Sequence, residues 1–237
     1  MRAVKLIQIP FSHNCIKVRV ALAIKKLPYD IENIRPMDRS EVIRLSGQGL
    51  VPVLVDGEKA VADSTAILLY LDERYPDPPL VPKDAAARNL CLMLEDWADR
   101  AFMEASRRIA YHNITSTPGL VSRLFFPNET GLAVRLRERV AINRVRKRFR
   151  FSPERYPKDA AEIRRAAALA MERLAGRAWL MDQGPTVADI SLATMSAPLA
   201  ADLKLREEPA VAALLAWGAK LVPKDVVALY NRPRLVE

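Results

Sequence analysis

Ser12 and Cys15 are the side chains best suited to sulfur chemistry, and both lie in the segment 11–22, FSHNCIKVRVAL. The apolar, β-branched segment 3–9 before them predicts a strand, and the apolar spacing after them predicts a helix. A thiolate in such a loop meets the free N–H groups and the positive end of the helix, and both lower the pKa of a thiol. A hydroxyl donor aimed at the sulfur stabilises the charged form further. The segment therefore predicts a site for a reactive thiolate.

Each of these residues also has a simpler structural interpretation. The hydroxyl of Ser12 either points at a sulfur or caps the helix, because one hydroxyl cannot do both. Ser12-x-x-Cys15 looks like a redox Cys-x-x-Cys motif whose attacking cysteine is replaced. Cys15 is then either a monothiol exchange group or a small apolar helix residue. His13 is either a substrate contact or a solvated loop residue.

A second segment has the features of a ligand-binding edge. Residues 51–55 predict a strand, and Asp56-Gly57 predicts a two-residue hairpin. Pro52 cannot donate to a sheet, so it predicts either an edge strand or a tight bend with a cis peptide bond. Asp63-Ser64 precedes residues with helical spacing and predicts a helix N-terminus. We expect an extended peptide on the edge, with its carboxylate at the helix N-terminus.

The periodic segments predict two domains of different class, α/β followed by all-α. Residues 1–75 are predicted to form a thioredoxin-like βαβ-α-ββα domain, 76–84 a proline-rich linker and 85–237 an all-α helical bundle. Along the first bundle helix, the spacing of Leu90, Leu94, Trp97 and Ala101 predicts the buried face. The predicted strands are 3–9, 29–34, 51–55 and 58–62. Two helices are predicted to begin at residues 12 and 64, and the other predicted helices span 38–45, 84–111, 131–150, 159–175, 187–202 and 207–221. The segment from residue 223 is predicted to be loose.

The composition of the 237 residues, half of them apolar, is ordinary for a globular protein, and no apolar run is long enough to span a membrane. The two cysteines have neither disulfide nor metal-ligand spacing, and residues 1–10 lack signal-peptide features, so we expect a cytoplasmic protein without a bound metal. Most of the net charge of +9 comes from residues 132–158, with ten basic residues against Glu138 and Glu154. Because aromatic residues are not interleaved there, the segment favours a solvated helix face over a nucleic-acid surface.

Three short motifs together resemble the glutathione transferase superfamily. Val51-Pro52 and Asp63-Ser64 match its glutathione-binding half in order and separation. The run Thr186-Val-Ala-Asp-Ile190 resembles the buried capping motif of its all-α domain, in which Thr186 and Asp189 form a capping box. The resemblance covers nearly the whole chain.

The resemblance implies how glutathione is held. The main chain of Val51 pairs with the cysteinyl unit next to a cis Pro52. Ser64 takes the γ-glutamyl carboxylate and Asp63 the ammonium group, although Asp63 has the alternative of only capping its helix. Leu50 stands where many members place a polar or basic residue, so the candidates for the glycyl carboxylate are Gln48 and Arg39.

The activity implied is conjugation of glutathione, as substrate, to small apolar electrophiles, with Ser12 stabilising the thiolate and Asn14 a further candidate for that role. The second substrate is expected between the domains, near His13, Arg107 and Tyr111. The family also implies a homodimer. Two alternatives stay open: glutathione-dependent thiol transfer or peroxide reduction through Cys15, and a binding protein of the same fold without turnover.

Overall fold

The computed structural model describes residues 4–35, 38–126 and 131–226. Its first part contains, in order, β1 (Val4–Gln8), α1 (His13–Ile24), β2 (Tyr29–Asn33), α2 (Ser40–Ser46), β3 (Val53–Asp56), β4 (Lys59–Ala62) and α3 (Ser64–Arg74). The predicted thioredoxin-like order βαβ-α-ββα is therefore confirmed. Ala3 in the first predicted strand, residues 127–130 and the C-terminal segment from 227 lie outside the described residues.

The four strands form one sheet in the order β2-β1-β3-β4, with β1 parallel to β2 and β3 antiparallel to both of its neighbours. The prediction of an edge strand at 51–55 was wrong, because β3 lies inside the sheet. Its first paired residue is Val53, opposite Ile7. Pro52 precedes the ladder, so its missing N–H costs the sheet no hydrogen bond. The Val51-Pro52 peptide bond is cis, as the second option predicted.

The second part contains helices joined by loops, and no strand in its described range. It contains α4 (Ala85–Ser116), α5 (Leu120–Phe125), α6 (Leu132–Phe149), α7 (Tyr156–Leu174), α8 (Val187–Ser196) and α9 (Pro209–Gly218), with short 3₁₀ turns at Ala197–Ala201 and Leu205–Glu207. The all-α class is confirmed, although α5 was not predicted and α8 is shorter than predicted. Pro198 lacks the N–H that an α-helix would need there. None of the helices in the described ranges is long and apolar enough to cross a membrane.

The buried face of α4 differs from the predicted one. Leu90 is 39% exposed, and Leu94 and Trp97 are only partly buried. The face that packs into the core instead contains Cys91, Glu95, Ala98, Phe102, Ala105, Ser106 and Ile109. Apolar spacing could not find this face, because its centre is a carboxylate, Glu95, that pairs with the fully buried Lys17 of α1.

The start of α8 is hydrogen-bonded to the linker that joins the two parts. The buried Asp189 carboxylate accepts hydrogen bonds from the backbone N–H groups of Leu180 (2.7 Å) and Thr186 (2.8 Å) and from the Thr186 hydroxyl (2.8 Å). The predicted capping box is present. The next residue, Val187, donates its N–H to the carbonyl of Leu80 at 2.9 Å. The linker between α3 and α4 is thus bonded directly to the helix bundle.

Candidate active site

A cavity of about 1200 Å³ lies between the two parts. We call its wall from the first part the floor: residues 9, 11–14, 39, 43 and 49–51. The wall from the second part is the roof, contributed by α4, α5, α6 and residues 198 and 201. A site for one drug-sized ligand usually measures about 300 to 1000 Å³. This cavity therefore has room for two molecules side by side.

Ser12 lies on the floor at the N-cap position of α1, with extended backbone angles of φ −79° and ψ 117°. Its backbone N–H donates to the carbonyl of Ile9 at 3.0 Å. Its side chain makes no capping hydrogen bond to the helix. Of the two interpretations left open by the sequence, helix capping is therefore not observed, and the Ser12 side chain is instead hydrogen-bonded to the thiol of Cys15.

Cys15 is fully buried one turn into α1 and does not line the cavity. Burial raises the pKa of its thiol to about 11, and hydrogen bonds from the backbone of Ile9 and the side chain of Ser12 only partly oppose this. At neutral pH the group is a thiol with no path to a substrate. These surroundings are those of a structural residue, and they do not favour the thiol-transfer alternative.

His13 lies on the floor but is not the solvated loop residue that one interpretation predicted. It is only 6% exposed, and its Nε2 has no hydrogen-bond partner among the described residues. Burial, followed by the charges of Arg107 and Lys17, lowers its pKa to about 3. The imidazole is therefore neutral at physiological pH, and its role as a substrate contact stays a prediction. Beside it on the floor, the Oδ1 of Asn14 is likewise buried without a partner.

The loop before β3 supplies the rest of the predicted glutathione wall. Leu50 and Val51 line the floor. Arg39, the residue just before α2, lines it as well. Pro52 and Gln48 do not line the cavity. The Gln48 backbone carbonyl accepts a hydrogen bond from the Ser46 hydroxyl at 3.0 Å. Of the two candidates for the glycyl carboxylate, only Arg39 faces the cavity.

Asp63 and Ser64 form the N-terminus of α3, and neither is part of the cavity wall. The Oδ1 of Asp63 accepts a hydrogen bond from the N–H of Ala66 at 3.0 Å, so the carboxylate does cap the helix. Its backbone φ of +77° is unusual for a side chain with a Cβ. Such strain, about 1 to 3 kcal/mol, tends to persist at functional positions. The ligand role of both residues stays a prediction.

Arg107 and Tyr111 face the cavity from α4, and their role as contacts of the second substrate stays a prediction. The Tyr111 ring stacks on Phe149 with centroids 4.6 Å apart and an interplanar angle of 14°. The Arg107 guanidinium lies over the same Phe149 ring at 4.8 Å and pairs with Glu104. Burial raises the pKa of the Tyr111 hydroxyl, while the charges of Arg107, Arg39 and Arg148 act in the opposite direction.

Sequence reasoning missed the part of the roof formed by α5 and the end of α6. The residues concerned are Leu120, Leu124, Phe125, Arg144, Val145, Lys147, Arg148 and Phe149. The basic segment 132–158 was the available signal, but it was interpreted as a solvated face. That interpretation describes the exposure of Arg144, Lys147 and Arg148 correctly, and it misses that all three border the cavity.

The chain combines a thioredoxin-like domain, a helical bundle and a cavity between them. Residues 6–79 match the family described as glutathione S-transferase, N-terminal domain. A crystal structure of a glutathione S-transferase from Methylobacterium radiotolerans, in complex with glutathione sulfonate, has the same fold. It superposes with a TM-score of 0.63 over 93% of this chain and 95% of that chain, at 24% identity. Residues 6–79 therefore form a domain of this family, and the chain as a whole shares the fold of that crystal structure.

Two curated relatives bear different names. Glutathione S-transferase Z1 of Arabidopsis thaliana is 45% identical over 76 residues, which are 30% of this chain and 34% of that protein. A stringent starvation protein A homolog of Coxiella burnetii is 37% identical over 100 residues, 42% of this chain and 46% of that protein. The chain thus matches less than half the length of each of these curated relatives.

Proposed function

We propose that the protein is a glutathione transferase that conjugates the glutathione thiolate to small electrophiles with an apolar body. One observation carries this proposal: the Ser12 hydroxyl makes no capping bond and lies on the same cavity wall as Val51. A peptide thiol paired with the main chain of Val51 brings its sulfur to that wall. The neighbouring N-terminus of α1 then favours the thiolate.

The reaction balances without any other reactant. The thiol of bound glutathione loses its proton to solvent, and Ser12 donates a hydrogen bond to the resulting thiolate. The sulfur forms a bond to the electrophilic carbon, and the leaving group departs with the electron pair of the bond that breaks. With an activated alkene, the adjacent carbon takes up a proton from water instead.

The remaining glutathione contacts are assigned by charge. The start of α3 offers N–H groups and the Ser64 hydroxyl to the γ-glutamyl carboxylate, and Asp63 keeps a second carboxylate oxygen for the ammonium group. Arg39 on the floor suits the glycyl carboxylate. Leu50 contributes apolar contact only, which leaves Arg39 the main anchor at that end.

The decisive experiment combines calorimetry and kinetics on Ser12→Ala, with 1-chloro-2,4-dinitrobenzene as electrophile. We expect glutathione to bind both proteins. The variant should lose about 10- to 100-fold in kcat/KM, because a hydrogen bond to a charged group is worth about 1.5 to 3 kcal/mol. The pH midpoint of kcat/KM should rise by about 1 to 2 pH units. Ser40→Ala on α2, whose exposed hydroxyl donates a hydrogen bond to Asp38, is the matched control. Full turnover by Ser12→Ala, or absence of glutathione binding to the wild type, would overturn the proposal.

We also propose that the protein acts in the cytoplasm as a homodimer. Both cysteines are free thiols, which suits a reducing compartment. Leu90 and Met93 present exposed apolar surface on α4, at 39% and 69% exposure. Sedimentation velocity should give a dimer for the wild type and a monomer for Met93→Glu. A wild-type monomer at micromolar concentration would contradict the dimer.

A further inference from the structure

The two walls of the cavity differ in charge. The floor carries one cation, Arg39, whereas the roof carries four: Arg107, Arg144, Lys147 and Arg148. Among the described lining residues, Glu104 is the one carboxylate on the roof. A wall with this excess of positive charge in a partly enclosed space attracts an anion. The roof is also the wall on which the second substrate is expected to lie.

Glu104 does not neutralise this charge. Its carboxylate is shared between Arg107 and Arg108, and Arg108 is itself held by Asp159 in a two-pronged ion pair of 2.7 to 3.0 Å. The Nε of Arg107 is buried and has no hydrogen-bond partner among the residues that the structure describes. A buried N–H of this kind is costly unless something bonds to it.

The other three roof cations have still less compensation. Within the part of the chain that the structure describes, Arg144, Lys147 and Arg148 have no ion pair with a carboxylate. Arg148 instead lies 5.8 Å from the centre of the Phe149 ring. These side chains therefore keep their charge available at the border of the cavity.

Arg39, Arg107 and Arg148 line the same cavity as Tyr111, and the charge of each of them lowers the pKa of the Tyr111 hydroxyl. Burial lowers the pKa of Arg39, and the charge of Arg148 lowers it further. Burial also lowers the pKa of Arg107; Glu104 and Tyr111 oppose this, whereas the charges of Arg108 and Arg148 lower it further. Mutual repulsion of this kind is relieved when a negative charge binds between the cations.

The same region offers flat apolar surface for a ring. Tyr111 stacks on Phe149, as described above, and Phe11 of the floor lies 5.7 Å from Phe125 of the roof at an angle of 38°. Leu124 and Ile114 complete this part of the wall. Aromatic groups pack on one another at centroid separations of about 4.5 to 7 Å. A planar ring therefore fits between the cations and the floor.

We propose that the electrophile taken by this enzyme is an aromatic acid, with its carboxylate bound by Arg107 and Arg148 and its ring against Tyr111 and Phe149. This inference rests on the proposed conjugating function and specifies its second substrate. The two carboxylates of glutathione are assigned to other groups: the glycyl carboxylate to Arg39 on the floor, and the γ-glutamyl carboxylate to the start of α3.

A matched pair of probes tests the proposal: 4-chloro-3,5-dinitrobenzoate and the neutral 4-chloro-3,5-dinitrobenzamide. In both, the glutathione sulfur bonds to the ring carbon that carries chlorine, and chloride leaves with the electron pair of the broken bond. After division by the uncatalysed rates, we expect kcat/KM to favour the benzoate about tenfold, as one charge-assisted hydrogen bond predicts. The preference should shrink with added salt, because Arg148 is exposed.

Three variants locate the preference. Arg148→Gln and Arg107→Gln should each lower the benzoate-to-benzamide ratio about tenfold. Arg100→Gln removes the same charge two turns earlier on α4, at a side chain that is 80% exposed, and should leave the ratio unchanged. If Arg107→Gln fails to fold, Arg148→Gln and the salt titration still decide. A wild type without preference, a preference that survives in Arg148→Gln, or a variant effect on the KM for glutathione alone would overturn the inference.

Failure of the conjugating function is separable from failure of this inference. Calorimetry with the unreactive pair 3,5-dinitrobenzoate and 3,5-dinitrobenzamide measures recognition of the acid without any reaction. Tighter binding of the benzoate that is lost in Arg148→Gln supports the carboxylate site even if neither chloride is turned over. Turnover of both chlorides at equal efficiency would leave the conjugating function intact and remove the carboxylate site.

Discussion

The Nζ of Lys17 in α1 forms an ion pair with Oε1 of Glu95 in α4, where the two side chains are 0% and 6% exposed. Nζ also donates to Oδ2 of Asp99 at 2.9 Å and to the hydroxyl of Thr65 at 3.1 Å. Burial raises the pKa of Asp99, and the charge of Lys17 acts against this. One ammonium group thus joins three helices, and its bonds to α4 link the first part of the molecule to the second.

Removing the ammonium group should be severely destabilising. Lys17→Met leaves Glu95 with a buried charge and no cation beside it, which typically costs about 3 to 5 kcal/mol. Urea unfolding followed by circular dichroism measures the loss. The double variant Lys17→Met with Glu95→Gln should recover part of it. A single variant as stable as the wild type would show that the pair contributes nothing.

The neutral, buried His13 should make the protein sensitive to acid. In the unfolded chain this imidazole takes up a proton below about pH 6.5, whereas in the folded protein its pKa is lowered to about 3. Between these values the unfolded state binds more protons, so stability falls as the pH falls, by about 1.4 kcal/mol per pH unit. His13→Gln should remove that part of the slope. Parallel pH profiles for the two proteins would refute the assignment.

Cys15 should be chemically silent in the native protein. Its pKa of about 11 and complete burial keep it protonated and out of reach of reagents. In native buffer, we expect an aromatic disulfide reagent to label Cys15 far more slowly than in denaturant. Cys15→Ala should retain conjugating activity, whereas loss of activity in a correctly folded Cys15→Ala protein would revive the thiol-transfer alternative.

The carboxylate at the start of α8 should matter more than an ordinary helix cap. Asp189→Asn turns one of the accepting oxygens into a donor, so a buried N–H or hydroxyl loses its partner at a cost of about 1 to 3 kcal/mol. Asp84→Asn at the exposed N-terminus of α4 is the matched control, because asparagine caps about as well as aspartate. Thermal unfolding should separate the two variants. Equal melting temperatures would contradict the special role of Asp189.

Local signals carried most of what the sequence predicted correctly. The capping box at Thr186, the cis bond before Pro52 and the order of helices and strands along the chain each depend on short segments, whose chemistry can be interpreted without their neighbours in space. The position of β3 inside the sheet could not be predicted in this way, because it depends on pairing with β1, far away in the chain. The buried face of α4 was missed for a related reason: Glu95 is buried only because Lys17 meets it.

The roof was the least predictable part of the site. Arg107 and Tyr111 were placed in it by the resemblance to a family, whereas Arg148 and Phe149 belong to a segment whose composition suggested solvent contact alone. A charged residue at the border of a cavity is both hydrated and directed at a ligand. Composition cannot separate these two situations, because only the fold of the intervening chain brings α6 opposite Ser12.

The ion pair between Lys17 and Glu95 also fixes the distance between α1 and α4. Lys17 lies about one and a half turns beyond Ser12 on α1, and Glu95 lies about three turns before Arg107 on α4. The ion pair therefore fixes the separation of α1 and α4, and with it the separation of Ser12 from Arg107 on opposite walls of the cavity. Because α1 and α4 are joined in this way, we expect any change in the width of the cavity to come from α5 and α6.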